Sequence, residues 1–222
     1  MDTSETKPAS FSAASVKSGS STAALGCMDG SLWLAQDCLG NTNDAHGDRK
    51  RKAVSNIPAS RVTDGVLRVT GLLWRANDIV SVGWDGFTSV FCADTCTKKT
   101  TIPSGGKPLT SVVSLDGSGC FIVSAVDGAV RMVDGRSGKG VVAACGKREA
   151  HQGIVTDVAA QEELVVSTGM DGTVKFWDQR SLLTPQHTIR TDGKLFAVDL
   201  IRGTRNTVFA AGQTGKVLRF GI

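Results

Sequence analysis

Ser167-Thr168-Gly169-Met170-Asp171-Gly172-Thr173-Val174-Lys175-Phe176-Trp177-Asp178 places an Asp-Gly turn between two apolar, β-prone stretches. Alternation in Thr173-Val174-Lys175-Phe176-Trp177 fits a strand with one covered face. Asp-Gly favours a tight turn because both residues tolerate positive φ, so the segment reads as a β-hairpin. The pattern recurs in Leu25-Gly26-Cys27-Met28-Asp29-Gly30-Ser31-Leu32-Trp33-Leu34, in Ser81-Val82-Gly83-Trp84-Asp85-Gly86-Phe87-Thr88-Ser89-Val90-Phe91, and in Ser124-Ala125-Val126-Asp127-Gly128-Ala129-Val130-Arg131-Met132-Val133-Asp134. A degenerate fifth copy, Ala211 to Phe220, carries Thr214 in the aspartate position.

Successive turns are 42 (Asp85 to Asp127), 44 (Asp127 to Asp171) and 43 residues apart (Asp171 to Thr214). A repeat of about 40–45 residues made of short strands predicts four-stranded propeller blades. The fold class is therefore all-β, a propeller of about five recognisable blades spanning residues 13–222, as an incomplete or open ring. Residues 1–12 are Ser/Thr-rich and expected to be flexible, although Val16 and its neighbours can form the first blade's inner strand. Asp29 to Asp85 is 56 residues, and the excess lies in a polar, basic insertion at 38–60. That stretch reads as a loop after the first blade's third strand.

Composition narrows the function classes. The 222 residues hold 25 Lys+Arg against 21 Asp+Glu, and the surplus equals one run, Arg49-Lys50-Arg51-Lys52. The rest is neutral, which disfavours a broad nucleic-acid-binding face. The run itself fits a nuclear-import signal, a contact for RNA phosphates, or a solvated loop. No stretch reaches the ~18–20 apolar residues that span a bilayer, and Met1-Asp2-Thr3-Ser4-Glu5-Thr6-Lys7 is too polar for a secretory signal. Neither membrane nor small-molecule partners are expected. Six scattered cysteines without a matching histidine pair do not make a zinc site, and no cofactor is expected. Five residues separate Gly140 from Gly146 and Arg148 follows Lys147, so this is not a phosphate loop.

Glu149-Ala150-His151-Gln152-Gly153-Ile154-Val155-Thr156-Asp157-Val158, followed by Ser167, Asp171 and Trp177-Asp178, resembles a WD-repeat. The resemblance implies a hydrogen-bonded structural tetrad of His151, Ser167, Asp171 and Trp177. The same residue types invite a Ser-His-Asp hydrolase reading, but the repeat gives them a structural task, and no catalytic residue is assigned. Phe91, Val133 and Phe220 stand where the other blades would carry tryptophan, so those blades should rely on apolar packing. The residue before each turn aspartate falls on one end of the blades: Met28, Trp84, Val126 and Met170. Four apolar side chains on turns mark a candidate protein-docking surface, with Trp84 its main anchor.

Over residues 13–222 the chain is similar to the C-terminal blades of the WD-repeat subunits of the nucleolar PeBoW-type complex. Three features carry this: the Gly83-Trp84-Asp85-Gly86 turn, the order of motifs from Ala150 to Ser181, and the placement of the basic insertion at 38–60. The resemblance implies a non-catalytic scaffold in large-ribosomal-subunit (pre-60S) assembly and rRNA maturation. It also implies Pescadillo-like and Bop-like partners, a pre-ribosomal particle, and location in the nucleus and nucleolus. A ubiquitin-like domain typical of that family does not fit before Ser10. The alternatives are a cytoplasmic or nuclear WD-repeat adaptor, as a ubiquitin-ligase substrate receptor or cytoskeletal scaffold, and a propeller-fold hydrolase.

Overall fold

The computed structural model describes residues 10–20, 22–35, 55–57, 68–115, 117–136, 139–201 and 207–221. They form five antiparallel sheets, each a meander in chain order, with no helix among them. Blade one contains β1 (Phe11–Val16), β2 (Ala23–Cys27), β3 (Leu32–Ala35) and β4 (Ser55–Ile57). Blade two contains β5 (Val69–Arg75), β6 (Asp78–Gly83), β7 (Phe87–Cys92) and β8 (Thr97–Pro103). Blade three has β9 (Leu109–Ser114), β10 (Cys120–Ala125), β11 (Val130–Asp134) and β12 (Gly140–Ala144). Blade four has β13 (Val155–Gln161), β14 (Leu164–Gly169), β15 (Thr173–Asp178) and β16 (His187–Arg190). Blade five has three strands, β17 (Leu195–Ile201), β18 (Thr207–Gly212) and β19 (Val217–Gly221). The insertion at 38–60 is thus not only loop, because β4 lies within it and completes blade one.

The molecule is a five-bladed β-propeller whose core lies between the blades. Side chains alternate along each strand, so every sheet has two faces and each apolar face needs a neighbour. Four interfacial clusters meet that need. Leu32 and Leu34 of blade one pack with Ile79 and Phe91 of blade two. Val80 and Val90 of blade two pack with Phe121 and Val133 of blade three. Ile122 and Val130 of blade three join Val165 and Trp177 of blade four, and Val166 and Phe176 of blade four join Val198 and Val208 of blade five. Phe91 and Val133, in the tryptophan position, are buried and seal their blades onto the preceding one; Phe220 does the same while half-buried.

Inner strands follow one another in contact, β1 to β5, β5 to β9, β9 to β13 and β13 to β17. Among the described residues no comparable packing joins blade five to blade one. In the first four blades a hydroxyl at the second position of the inner strand ties it to the next. Ser12 Oγ donates to the Val69 carbonyl, Thr70 Oγ1 to the Leu109 carbonyl (2.7 Å), Thr110 Oγ1 to the Val155 carbonyl (2.6 Å) and Thr156 Oγ1 to the Leu195 carbonyl (2.9 Å). The accepting residue is each time the first of the following inner strand. In blade five this position is Phe196, which is 50% exposed.

The turns differ from the expectation that both Asp and Gly take positive φ. Only the glycine has positive φ, at Gly30, Gly86, Gly128, Gly172 and Gly215, and the aspartates do not. The N–H of each glycine donates to the carbonyl three residues earlier, at 3.1–3.3 Å. Each aspartate instead accepts from the N–H two residues on: Asp29 from Ser31, Asp85 from Phe87, Asp127 from Ala129 and Asp171 from Thr173. These are three-residue hairpin loops with a bulged glycine, where the aspartate acts through its side chain. Gly128 has a second reason to be glycine: a Cβ there would lie 2.2 Å from the His151 carbonyl oxygen of the next blade's loop.

Replacing Thr70 by Val keeps the shape and deletes the hydroxyl. It should cost about 1 kcal/mol, whereas Thr70→Ser should retain most of the stability. Urea denaturation of the two variants beside the parent chain measures the difference.

Candidate functional site

The hairpin loops between second and third strands gather Met28, Trp84, Val126 and Met170 at the same end of their blades. Trp84 is 54% exposed, Met170 39% and Met28 37%, while Val126 is half-buried. Their backbones are held. The N–H of Met28 donates to Ser10, that of Trp84 to Arg68, that of Val126 to Pro108 and that of Met170 to Ile154, all at 2.9–3.0 Å to the carbonyl oxygens. Gln213 N–H does the same to the Lys194 carbonyl in blade five. Each bond fastens a turn to the segment leading into its own inner strand. The side chain is therefore presented from a fixed backbone, which lowers the entropy lost on binding. Arg49, Lys50, Arg51 and Lys52 lie outside the described residues.

In blade four, His151, Ser167, Asp171 and Trp177 come together. Trp177 Nε1–H donates to Ser167 Oγ (2.9 Å), and Ser167 Oγ lies 2.8 Å from His151 Nε2. His151 Nδ1 lies 3.0 and 3.2 Å from the two Asp171 oxygens. A neutral imidazole has one N–H, and the carboxylate can only accept. The proton therefore sits on Nδ1, and Ser167 donates to Nε2 while accepting from tryptophan. Asp171 also accepts from Gln152 N–H (2.9 Å) and from Thr173 Oγ1 (2.8 Å). The network links the loop before β13 to β14, the turn and β15. Ser167 is fully buried and its oxygen is engaged on both sides, so this serine is closed to a substrate.

Burial pushes His151 below the usual histidine range, outweighing the bond and charge of Asp171, and the charge of Lys175 acts in the same direction. For Asp171 burial acts upward, but the hydrogen bonds from His151, Gln152 and Thr173 hold it below the usual carboxylate range.

Asp157 was not singled out by its sequence, yet it joins three blades. Its Oδ1 accepts from Ser111 Oγ in blade three (2.7 Å) and from Val158 N–H (2.9 Å), and its Oδ2 accepts from Val198 N–H in blade five (3.0 Å). Burial, aided by the charge of Asp199, raises its pKa despite these bonds. The available signal was a carboxylate at the third inner-strand position, where the other blades have Ala13, Gly71, Ser111 and Ala197.

The depressed His151 predicts acid sensitivity. The unfolded chain takes up this proton near 6.5 and the folded chain only at lower pH. The contribution is thus complete above that value and is lost as pH falls through the folded pKa. Stability followed by urea denaturation from neutral to acidic pH should decline across this interval. His151→Gln should start lower and flatten the decline.

No family model matches the sequence. The chain is 29% identical over 144 residues to the ribosome biogenesis protein WDR12 homolog of Nematostella vectensis. The match covers 63% of this chain and 34% of that relative, so it spans about a third of the relative's length. Among solved structures, a chain of the mitotic checkpoint complex superposes with a TM-score of 0.73 at 16% identity, covering 91% of this chain and 60% of that one. The computationally designed Ika4 protein superposes with a TM-score of 0.56 at 25% identity, covering 69% of this chain and 91% of that one. The checkpoint likeness carries the fold alone. The chain is a β-propeller that shares part of its sequence with a ribosome biogenesis protein.

Proposed function

We propose that this chain is a WD-repeat scaffold that assembles proteins on the maturing large ribosomal subunit in the nucleolus. The observation that carries this reading is the 144-residue similarity to a ribosome biogenesis protein. The docking ends of the blades supply the means. Trp84, Met28 and Met170 offer exposed apolar area on anchored turns, and such side chains act as anchors for a protein partner. The partners expected on this reading are Pescadillo-like and Bop-like assembly factors. The Arg49–Lys52 run fits nuclear import or contact with RNA phosphates.

Affinity purification of the tagged full chain tests the role. Pescadillo-like and Bop-like proteins with pre-60S particles are the expected companions, and ubiquitin-ligase subunits in their place would overturn it. Trp84→Ala should reduce recovery of those companions severalfold while urea denaturation stays within about 0.5 kcal/mol of the parent. Unchanged recovery removes Trp84 from the docking surface. Replacing Arg49, Lys50, Arg51 and Lys52 with Gln should shift a fluorescent fusion from nucleus to cytoplasm under the microscope.

A further inference from the structure

A cleft of about 220 Å³ opens where blade three passes into blade four, lined by Arg148, Gln152, Asp171, Thr173, Lys175, Thr188 and Arg190. The segment between β12 and β13, the turn carrying Asp171 and the paired strands β15 and β16 build it. Arg148 and Gln152 come from the segment between β12 and β13. Thr173 and Lys175 are cross-strand partners of Arg190 and Thr188, so β15 and β16 set all four on one face.

The charges in the cleft are unevenly satisfied. Asp171 is already occupied by His151, Gln152 N–H and the N–H and hydroxyl of Thr173. Lys175 is buried, and its ammonium donates to the Glu149 and Ala150 carbonyls at 2.6 and 3.2 Å, 5.9 Å from the centre of the Trp177 ring. Those carbonyls position it without cancelling its charge, and no carboxylate pairs with it among the described residues. Arg148 and Arg190 are exposed, and neither guanidinium has a hydrogen bond or ion pair among the described residues. By contrast, Arg131, Arg136 and Arg180 are tied to Asp127, Asp134 and Asp178. Three cations, two of them with free forks, face one carboxylate that is already spoken for.

We propose that this cleft binds a phosphate monoester borne on a protein side chain, a phosphoserine or phosphothreonine of a partner. Two guanidinium forks match the oxygens of a tetrahedral dianion, and the Thr188 hydroxyl and Gln152 amide add neutral donors. A phosphorylated side chain brings the charge and the acceptor oxygens that this set lacks. An RNA strand fits less well. No aromatic face lines the cleft for base stacking. The chain outside the Arg49–Lys52 run has no net charge with which to track a phosphate backbone. The site goes beyond the scaffold role and does not depend on which complex the scaffold serves.

The test titrates the ¹⁵N-labelled full chain with N-acetyl-O-phosphoserine methylamide and follows the amides of Gln152, Gly172 and Arg190. The controls are the unphosphorylated analogue, inorganic phosphate, and oligouridylate without terminal phosphates. The phosphoserine probe should shift these amides saturably, and the unphosphorylated analogue should not. R148A/R190A, with spectral dispersion retained, should weaken binding by about tenfold or more. The single variant Arg190→Gln should weaken it by a smaller factor, and it carries the test if the double variant loses its dispersion. Absence of saturable shifts, or equal affinity in the variants, overturns the proposal. Inorganic phosphate binding as tightly as phosphoserine moves the site to a free ion and overturns the protein-borne source. Tighter binding of oligouridylate overturns it in favour of RNA.

Discussion

Each blade of this chain has two faces to cover, and one hydrogen bond recurs wherever a face is covered by the next blade. The hydroxyl of Ser12, Thr70, Thr110 or Thr156 reaches the first carbonyl of the following inner strand. An apolar interface fixes distance but not registration, because greasy surfaces can slide. A directional bond at the start of each inner strand sets the height of one blade against the next. The four interfacial clusters then follow from that alignment. The series stops at Phe196, which lacks a hydroxyl. Phe196, Ile201 and Val217 of blade five are all exposed. The interaction that propagates the array is therefore absent from the side of blade five that faces away from blade four.

The same economy appears at the turns. Aspartate and glycine divide the work, with the carboxylate accepting an N–H two residues on and the glycine alone taking the left-handed backbone. The preceding residue is bonded through its N–H to the start of its own blade, so its side chain is not needed to hold the turn. That leaves Met28, Trp84 and Met170 available for contact at modest entropic cost. Among the described residues, blade four alone joins a histidine, a serine, an aspartate and a tryptophan in one polar network. There the histidine stays neutral, donating to Asp171 through one nitrogen and accepting from Ser167 through the other.

Much of this was legible in the sequence because the repeat is periodic and its turns contain glycine. Spacings of 42 to 44 residues between Asp85, Asp127, Asp171 and Thr214 imply blades whatever the intervening residues. His151, Ser167, Asp171 and Trp177, singled out by residue type and spacing, are joined by hydrogen bonds in blade four. Other features carry no local pattern. Asp-Gly is also the dipeptide of the two-residue hairpin, so composition alone does not separate that turn from the bulged one. Ser55–Ile57 is too short and polar to show strand alternation, and its pairing with β3 hides β4 inside an apparent loop. A lone Ser or Thr at the head of a strand is ordinary, and only the neighbouring blade reveals what it bonds. Asp157 is the same case, for its partners Ser111 and Val198 lie 46 and 41 residues away.

Blade four is consequently held by polar bonds both within itself and to its neighbours. Asp157 ties it to both neighbours, and the tetrad ties its inner loop to its second and third strands. Lys175 extends the same order toward solvent, because its ammonium is held by carbonyls of the loop that carries His151. A cation fixed in this way keeps its field directed at the cleft instead of relaxing toward water or a nearby carboxylate. The free arginines can adapt to a ligand, while the lysine and the turn beneath them cannot. Rigidity below and mobility at the rim give a charged cleft selectivity for the shape of an anion as well as its sign. In this chain the rigidity comes from a histidine, a serine and a tryptophan that never meet the ligand.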